Sequence, residues 1–251
     1  MRRFVLSLAL ALGALPVAAD TVLTIKNHSD EVTMMGQKTP AQDNEFRYWF
    51  SDDATRYDMG EDTSIVMQLA QKKLYVINHA EKNYSAIDLP FDFKSLVGPE
   101  MAPMMDQMMK MMAATVTVTP TDRTGEYGGY ACRYSKVNIA MTMMQMEMDQ
   151  CLSERVPIDY ERYKTLAEAQ AEMIPSGGWM KELNEKLKGF PVRTESTTTM
   201  MGKSFGSWQE LQAVEEKRAP EGFYAPPAGY KEIKYDPMAQ QQQQQQKKRK
   251  G

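Results

Sequence analysis

The chain has 251 residues, 42% of them hydrophobic and 25% charged, with a formal net charge of −3. This composition supplies enough apolar side chains for a buried core and excludes collagen, wholesale disorder and a multi-span membrane protein. The acidic balance, which deepens once the basic ends are set aside, argues against a nucleic-acid partner.

Met1, Arg2 and Arg3 are followed by an apolar run over residues 4–15 and by the small residues Val17-Ala18-Ala19. The pattern is that of a removable signal peptide cleaved after Ala19, with an apolar run too short to span a bilayer. No Cys follows the cleavage point to accept a lipid. The expectation is an exported, periplasmic protein with a single domain over residues 20–239.

From Asp20 onward the pattern has a two-residue period: Val22, Thr24 and Lys26 alternate with Thr21, Leu23 and Ile25. Residues 46–50, 64–69, 73–78 and 84–89 repeat that signature at short intervals. Such spacing predicts a meander of hairpins with one solvated face. Gly98-Pro99 then introduces a predicted helix over 100–114, in which Met101, Met104, Met105, Met108, Met109 and Met112 recur at three- and four-residue steps.

A strand is expected over 115–119, a turn-rich connection over 120–129, and a hairpin of strands 130–139 and 142–152. Cys132 and Cys151 flank that hairpin; a pair of cysteines in an exported chain reads as one disulfide. With the turn near 140–142 they fall opposite one another. Residues 159–173 read as a helix capped by Asp159, Ser176-Gly177-Gly178 as its end, and 179–188 as a helix closed by Gly189. Strands over 190–201 and 207–218 precede a stretch of breakers at 220–227. The tail, Gln240 to Gln246 and then Lys247, Lys248, Arg249 and Lys250, reads as disordered, with peripheral membrane contact as its most it can offer.

Catalytic signals are sparse. His28 and His79 are the only histidines and stand in no metal-binding spacing, and the pairs Asp52-Asp53 and Glu61-Asp62 read as solvated turns. The expectation is a protein that is not an enzyme and has no resident cofactor. The abnormal feature is the 22 methionines, concentrated at 101–112 and at Met141, Met143, Met144, Met146 and Met148. Three readings compete. Thioethers fill irregular gaps in ordinary cores, line deformable sites for hydrophobic ligands, and select Cu(I), for which Met104 with Met108 and Met105 with Met109 offer paired sulfurs. Between Met101 and Met112 the helix carries only Asp106, Gln107 and Lys110 as polar residues, so it needs burial on more than one side.

Phe46-Arg47-Tyr48, Arg56-Tyr57-Asp58-Met59-Gly60, Leu74-Tyr75-Val76-Ile77-Asn78, Tyr84-Ser85-Ala86-Ile87-Asp88-Leu89 and the turn Gly129-Tyr130-Ala131-Cys132 resemble an uncharacterised family of exported bacterial proteins. Val214-Glu215-Glu216-Lys217 through Pro227-Ala228-Gly229-Tyr230 is similar to the closing strands of periplasmic lipoprotein carriers of the LolA and LolB type. The resemblance implies an α+β fold: a curved antiparallel sheet forming an open half-barrel, helices over its concave face, and shelter for acyl chains. The function expected is non-catalytic binding of a lipid, an acyl chain or an apolar protein segment. Met104, Met105, Met108, Met109 and Met112 are the expected adaptable contacts, with Trp49 and Phe50 as sheet-side walls. A Cu(I)-binding protein and a structural or interaction module without a small ligand are the alternatives.

Overall fold

The computed structural model describes residues 19–34, 36–91, 103, 107, 113–142, 144–173 and 178–236. The expected signal peptide through residue 18, the methionines Met101, Met104, Met105, Met108, Met109, Met112 and Met143, the Ser176-Gly177 pair and the tail from 237 onward lie outside the described residues.

Strands run in chain order as β1 (Asp20–Ser29), β2 (Val32–Met34), β3 (Gln37–Thr39), β4 (Gln42–Phe50), β5 (Ala54–Met59), β6 (Thr63–Gln68), β7 (Lys73–Asn78), β8 (Asn83–Asp88), β9 (Thr115–Tyr127), β10 (Tyr130–Ala140) and β11 (Met144–Ser153). Helices α1 (Tyr160–Glu172) and α2 (Trp179–Lys186) follow, then β12 (Phe190–Met200), β13 (Lys203–Lys217) and β14 (Lys231–Glu232). Twelve strands form one sheet in the order β14-β8-β7-β6-β5-β4-β1-β13-β12-β11-β10-β9, and β2-β3 make a separate hairpin.

This architecture corrects the expected α+β half-barrel with helices covering its concave face. The molecule is mostly one large sheet, and the described residues contain two short helices of 13 and 8 residues. Twelve strands at about 4.8 Å spacing make a ribbon about 50 Å across. Helices of those lengths extend only about 20 and 12 Å, so they meet the sheet locally and leave most of it to other partners.

The expected turn-rich connection at 120–129 is also corrected: β9 continues to Tyr127. Pro120 fits because β9 is the last strand of the sheet and pairs with Ser135 beside a register shift, where a missing N–H is tolerated. The turn is only Gly128-Gly129, both at positive φ (58° and 82°), between paired Tyr127 and Tyr130. A side chain on Gly128 would lie 3.0 Å from the Leu211 carbonyl oxygen and side chain, so both backbone freedom and space require glycine there.

The disulfide joins Cys132 to Cys151 with their Cα atoms 5.3 Å apart. The register sets Tyr134, not Cys132, opposite Cys151, so the bond runs diagonally between neighbouring strands.

Three clusters form the core. Leu23, Ile25, Phe50, Phe190 and Leu211 pack with the disulfide at the centre of the sheet. Tyr57, Ile65, Met67, Leu74, Val76 and Ile87 pack against Leu166, Ala169 and Met173 at and beside α1, and against Tyr235. Val116, Val137, Ile139 and Met148 meet Leu183 and Leu187 at α2. Helix α1 starts where expected: the Asp159 carboxylate accepts the N–H groups of Glu161 and Arg162, a cap worth about 1 kcal/mol.

The opposite face of β4–β6 is covered by the segment read only as breakers. Phe223 stands edge-on to Trp49 at 4.7 Å, Arg56 donates to the Phe223 carbonyl at 2.8 Å, and Gln68 donates to the Tyr224 carbonyl at 2.7 Å. The chain then pairs β14 in parallel with β8 and returns Tyr235 to the helix-side core.

Candidate functional site

Three cavities separate by lining chemistry. The largest described, about 650 Å³, is a groove across β10–β13 lined mostly by polar side chains such as Lys136, Asn138, Asp149, Arg193 and Glu195, with Trp208. Its arginines are paired: Arg123 with Asp149 at 3.0 Å, and Arg193 with Glu210 at 2.7 Å and Glu195 at 3.1 Å. A second, of about 450 Å³, lies between residues 153–161 and the end of α2 and has Glu154, Glu161, Lys164, Glu185 and Lys188 in its lining. The third, about 360 Å³, is smaller but has an apolar interior, formed where α1 meets the ends of β6 and β8. A small-molecule site needs about 300 Å³ and a mainly apolar lining with a few polar groups, so chemistry favours the third over the larger two.

This hollow is assembled from two distant stretches. Met67, 1% exposed, and Ala169, 6% exposed, form its floor, and Leu69, Leu89 and Pro90 its walls. The β6–β7 turn is held by three backbone bonds: Leu69 N–H to Asp53 O at 3.0 Å, Lys72 N–H to Leu69 O at 3.2 Å, and Leu89 N–H to Lys72 O at 2.8 Å. From the helix come Thr165, Glu168, Ala169 and Glu172, spaced so that one face of α1 presents them together. Fully buried Leu166 anchors that helix to the sheet. The small Ala169 side chain leaves the space; a larger residue there would fill it. Gln68, Lys72, Thr165, Glu168 and Glu172 complete the lining.

The remaining sequence-derived residues fall elsewhere. Trp49 and Phe50 are consecutive in β4 and point to opposite faces: Phe50 into the central core, Trp49 against Phe223. They cannot wall one site together. Of the second methionine group, Met148 is buried in the α2-side core, and Met141 and Met146 pack against it. Those sulfurs serve ordinary packing. Among the described residues no group of three or more His, Cys, Asp or Glu side chains is placed to hold a metal ion. The Met104, Met105, Met108, Met109 and Met112 set lies outside the described residues.

His79, read as an exposed loop histidine, belongs instead to a polar cluster under the C-terminal segment. Ser64 Oγ lies 2.6 Å from Asp58 Oδ1, 2.8 Å from Arg56 Nη2 and 2.8 Å from His79 Nε2. The single hydroxyl proton goes to Asp58, an acceptor only. Ser64 therefore accepts from Arg56 and from His79 Nε2–H, which leaves His79 Nδ1 to accept from Tyr230 O–H at 3.1 Å. Burial, and then the neighbouring Arg56 cation, lower the His79 pKa and favour this neutral ring. With every hydrogen-bonding site of Ser64 occupied, the cluster fastens Tyr230 and the Phe223 carbonyl to the sheet. His28, by contrast, lies between Asp43 (3.0 Å) and Asp30 (3.3 Å), stacked on Trp208; the hydrogen bond to Asp43 raises its pKa.

Tyr48, Tyr57 and Tyr163 join α1 to the sheet, with the Tyr48 and Tyr57 rings stacked at 4.4 Å and Tyr163 edge-on to Tyr48 at 6.0 Å. Burial pushes all three phenols well above their usual range, so they stay neutral and act as packing surface.

The model of a family described as a domain of unknown function, DUF4412, matches residues 30–230, a span that contains the whole hollow. The chain belongs to that family. The match carries no link to the lipoprotein carriers. No curated protein matches the chain.

Proposed function

We propose that this member of the DUF4412 family is an exported, non-catalytic binding protein that takes the apolar chain of an amphiphile into the hollow between α1 and the ends of β6 and β8. The observation that carries the reading is the lining: Met67, Leu69, Leu89, Pro90 and Ala169 form the apolar half of the wall of a cavity of about 360 Å³, with polar side chains making up the rest. Burying a methylene group from water is worth about 0.8 kcal/mol, so a chain of several carbons gains enough to bind without any covalent step. The residues 1–19 support export by their signal-like pattern.

The test is titration of the purified full chain with the neutral apolar dye N-phenyl-1-naphthylamine, whose fluorescence rises on leaving water. The expected result is saturable binding that Leu89→Glu weakens by tenfold or more, because Leu89 is half-buried and its replacement sets a charge against the apolar wall. Absence of saturable binding, or an affinity untouched by Leu89→Glu with the fold intact by circular dichroism, overturns the reading.

A further inference from the structure

The apolar floor accounts for an acyl chain but leaves the charges at its margin unexplained. Lys72 stands on the sheet side and Glu168 and Glu172 on the helix side, one turn apart on α1. The backbone of Lys72 is fixed at φ 49°, with its N–H and carbonyl both bonded within the turn system. Among the described residues its ammonium group makes no ion pair, and neither carboxylate does. Glu168 accepts from Asn184 Nδ2 at 3.4 Å and Glu172 from the Phe91 N–H at 3.2 Å. Each of these bonds positions a carboxylate while leaving most of its lone-pair sites open.

The contrast with the large groove is instructive. There Arg123 and Arg193 pair directly with Asp149, Glu195 and Glu210. Around the hollow, one cation and two anions stay apart across an apolar opening. A purely anionic head meets one attractive and two repulsive groups there. A head carrying both a phosphate and an ammonium group meets Lys72 with the first and Glu168 and Glu172 with the second.

We propose that the hollow selects lipids with a zwitterionic phosphate–ammonium head over lipids with an anionic head and the same chains, through Lys72 on one side and Glu168 with Glu172 on the other. The inference rests on the binding reading above and adds the class of head group. Charges at an exposed margin are partly screened by salt, so the selectivity is about tenfold and falls with ionic strength.

The experiment uses the full chain loaded with N-phenyl-1-naphthylamine and displaces the dye with monomeric short-chain phosphatidylethanolamine or phosphatidylglycerol of identical acyl length. At low salt the ethanolamine lipid is expected to displace the dye at about one-tenth the concentration of the glycerol lipid. The double exchange Glu168→Lys with Glu172→Lys is expected to reverse that order, and Lys72→Gln to weaken both lipids. Equal displacement by the two lipids, or an order that survives the double exchange, overturns the head-group inference while the dye titration still upholds the apolar site. A chain that never takes up the dye overturns the site itself, and the two failures are thereby distinguished.

Discussion

The two halves of the sheet solve the same packing problem differently. Strands β5–β8 have six residues each, and β5 and β6 bury side chains on both faces. Strands β9–β13 run from ten to fifteen residues, and β10 alternates buried with exposed positions along most of its length. Short strands offer little ladder of their own, so this half needs a cover on each side: α1 on one, and the segment carrying Phe223, Tyr224 and Tyr230 on the other. The long strands add extended ladders and one diagonal disulfide, with the shorter helix α2 packed locally on Val116, Val137, Ile139 and Met148. A separate cover that meets a sheet imperfectly leaves an apolar hollow, whereas an uncovered face becomes polar and pairs its arginines with its own carboxylates.

The largest effect is expected from Leu166→Ala. Leu166 is fully buried under α1, so the exchange should cost about 3 to 4 kcal/mol. Hydrogen exchange should quicken most in β5–β7 and α1, and the dye should bind more weakly. Uniform quickening across all twelve strands would show that the halves do not differ in how they are held.

Removal of the disulfide comes next. Cys132→Ala with Cys151→Ala opens a loop of sequence separation 19, and loop-closure entropy puts the loss at about 3 kcal/mol. Urea unfolding should register that loss, while the still-folded variant keeps its dye affinity because both cysteines lie in the half away from the hollow. Loss of dye binding below the unfolding transition would couple the halves more tightly than their packing implies.

The smallest effect is a gain. Met201 opens the two-residue β12–β13 turn at φ 52° and is 62% exposed, so Met201→Asn forfeits no core contact. Asparagine tolerates this conformation, and the exchange should recover part of the roughly 1 kcal/mol that a left-handed residue costs. A melting temperature unchanged or lowered would mean that the methionine has a contact worth keeping.

Legibility in the sequence tracked locality. The alternation at β1, β7 and β8 and the helix at 160–172 with its Asp159 cap stood out because each depends on neighbours within one turn or one pleat. The strand over 54–59 did not stand out as a strand, because burial on both faces, in the order Ala54, Thr55, Arg56, Tyr57, erases the two-residue period. The cysteine bond was legible, but its diagonal register was not, since that depends on the position of a turn. Within the site, the spacing of Thr165, Glu168, Ala169 and Glu172 on one helix face was there to be read. Nothing local marked Leu69, Lys72 and Leu89 as their partners.

The order of residues alone settled several of the extended stretches, where α1 would begin and that two cysteines would pair, because backbone sterics, capping and thiol chemistry act over a few residues or on the only partners present. Tertiary structure decided that the chain forms one broad sheet in place of a helix-covered half-barrel, that a proline-rich segment seals the face opposite α1, and that a turn near Lys72 meets the helix nearly a hundred positions later. Those outcomes depend on which apolar surfaces find each other across the folded chain. Hydrophobic burial rewards area without regard to sequence separation, so no local pattern announces the match.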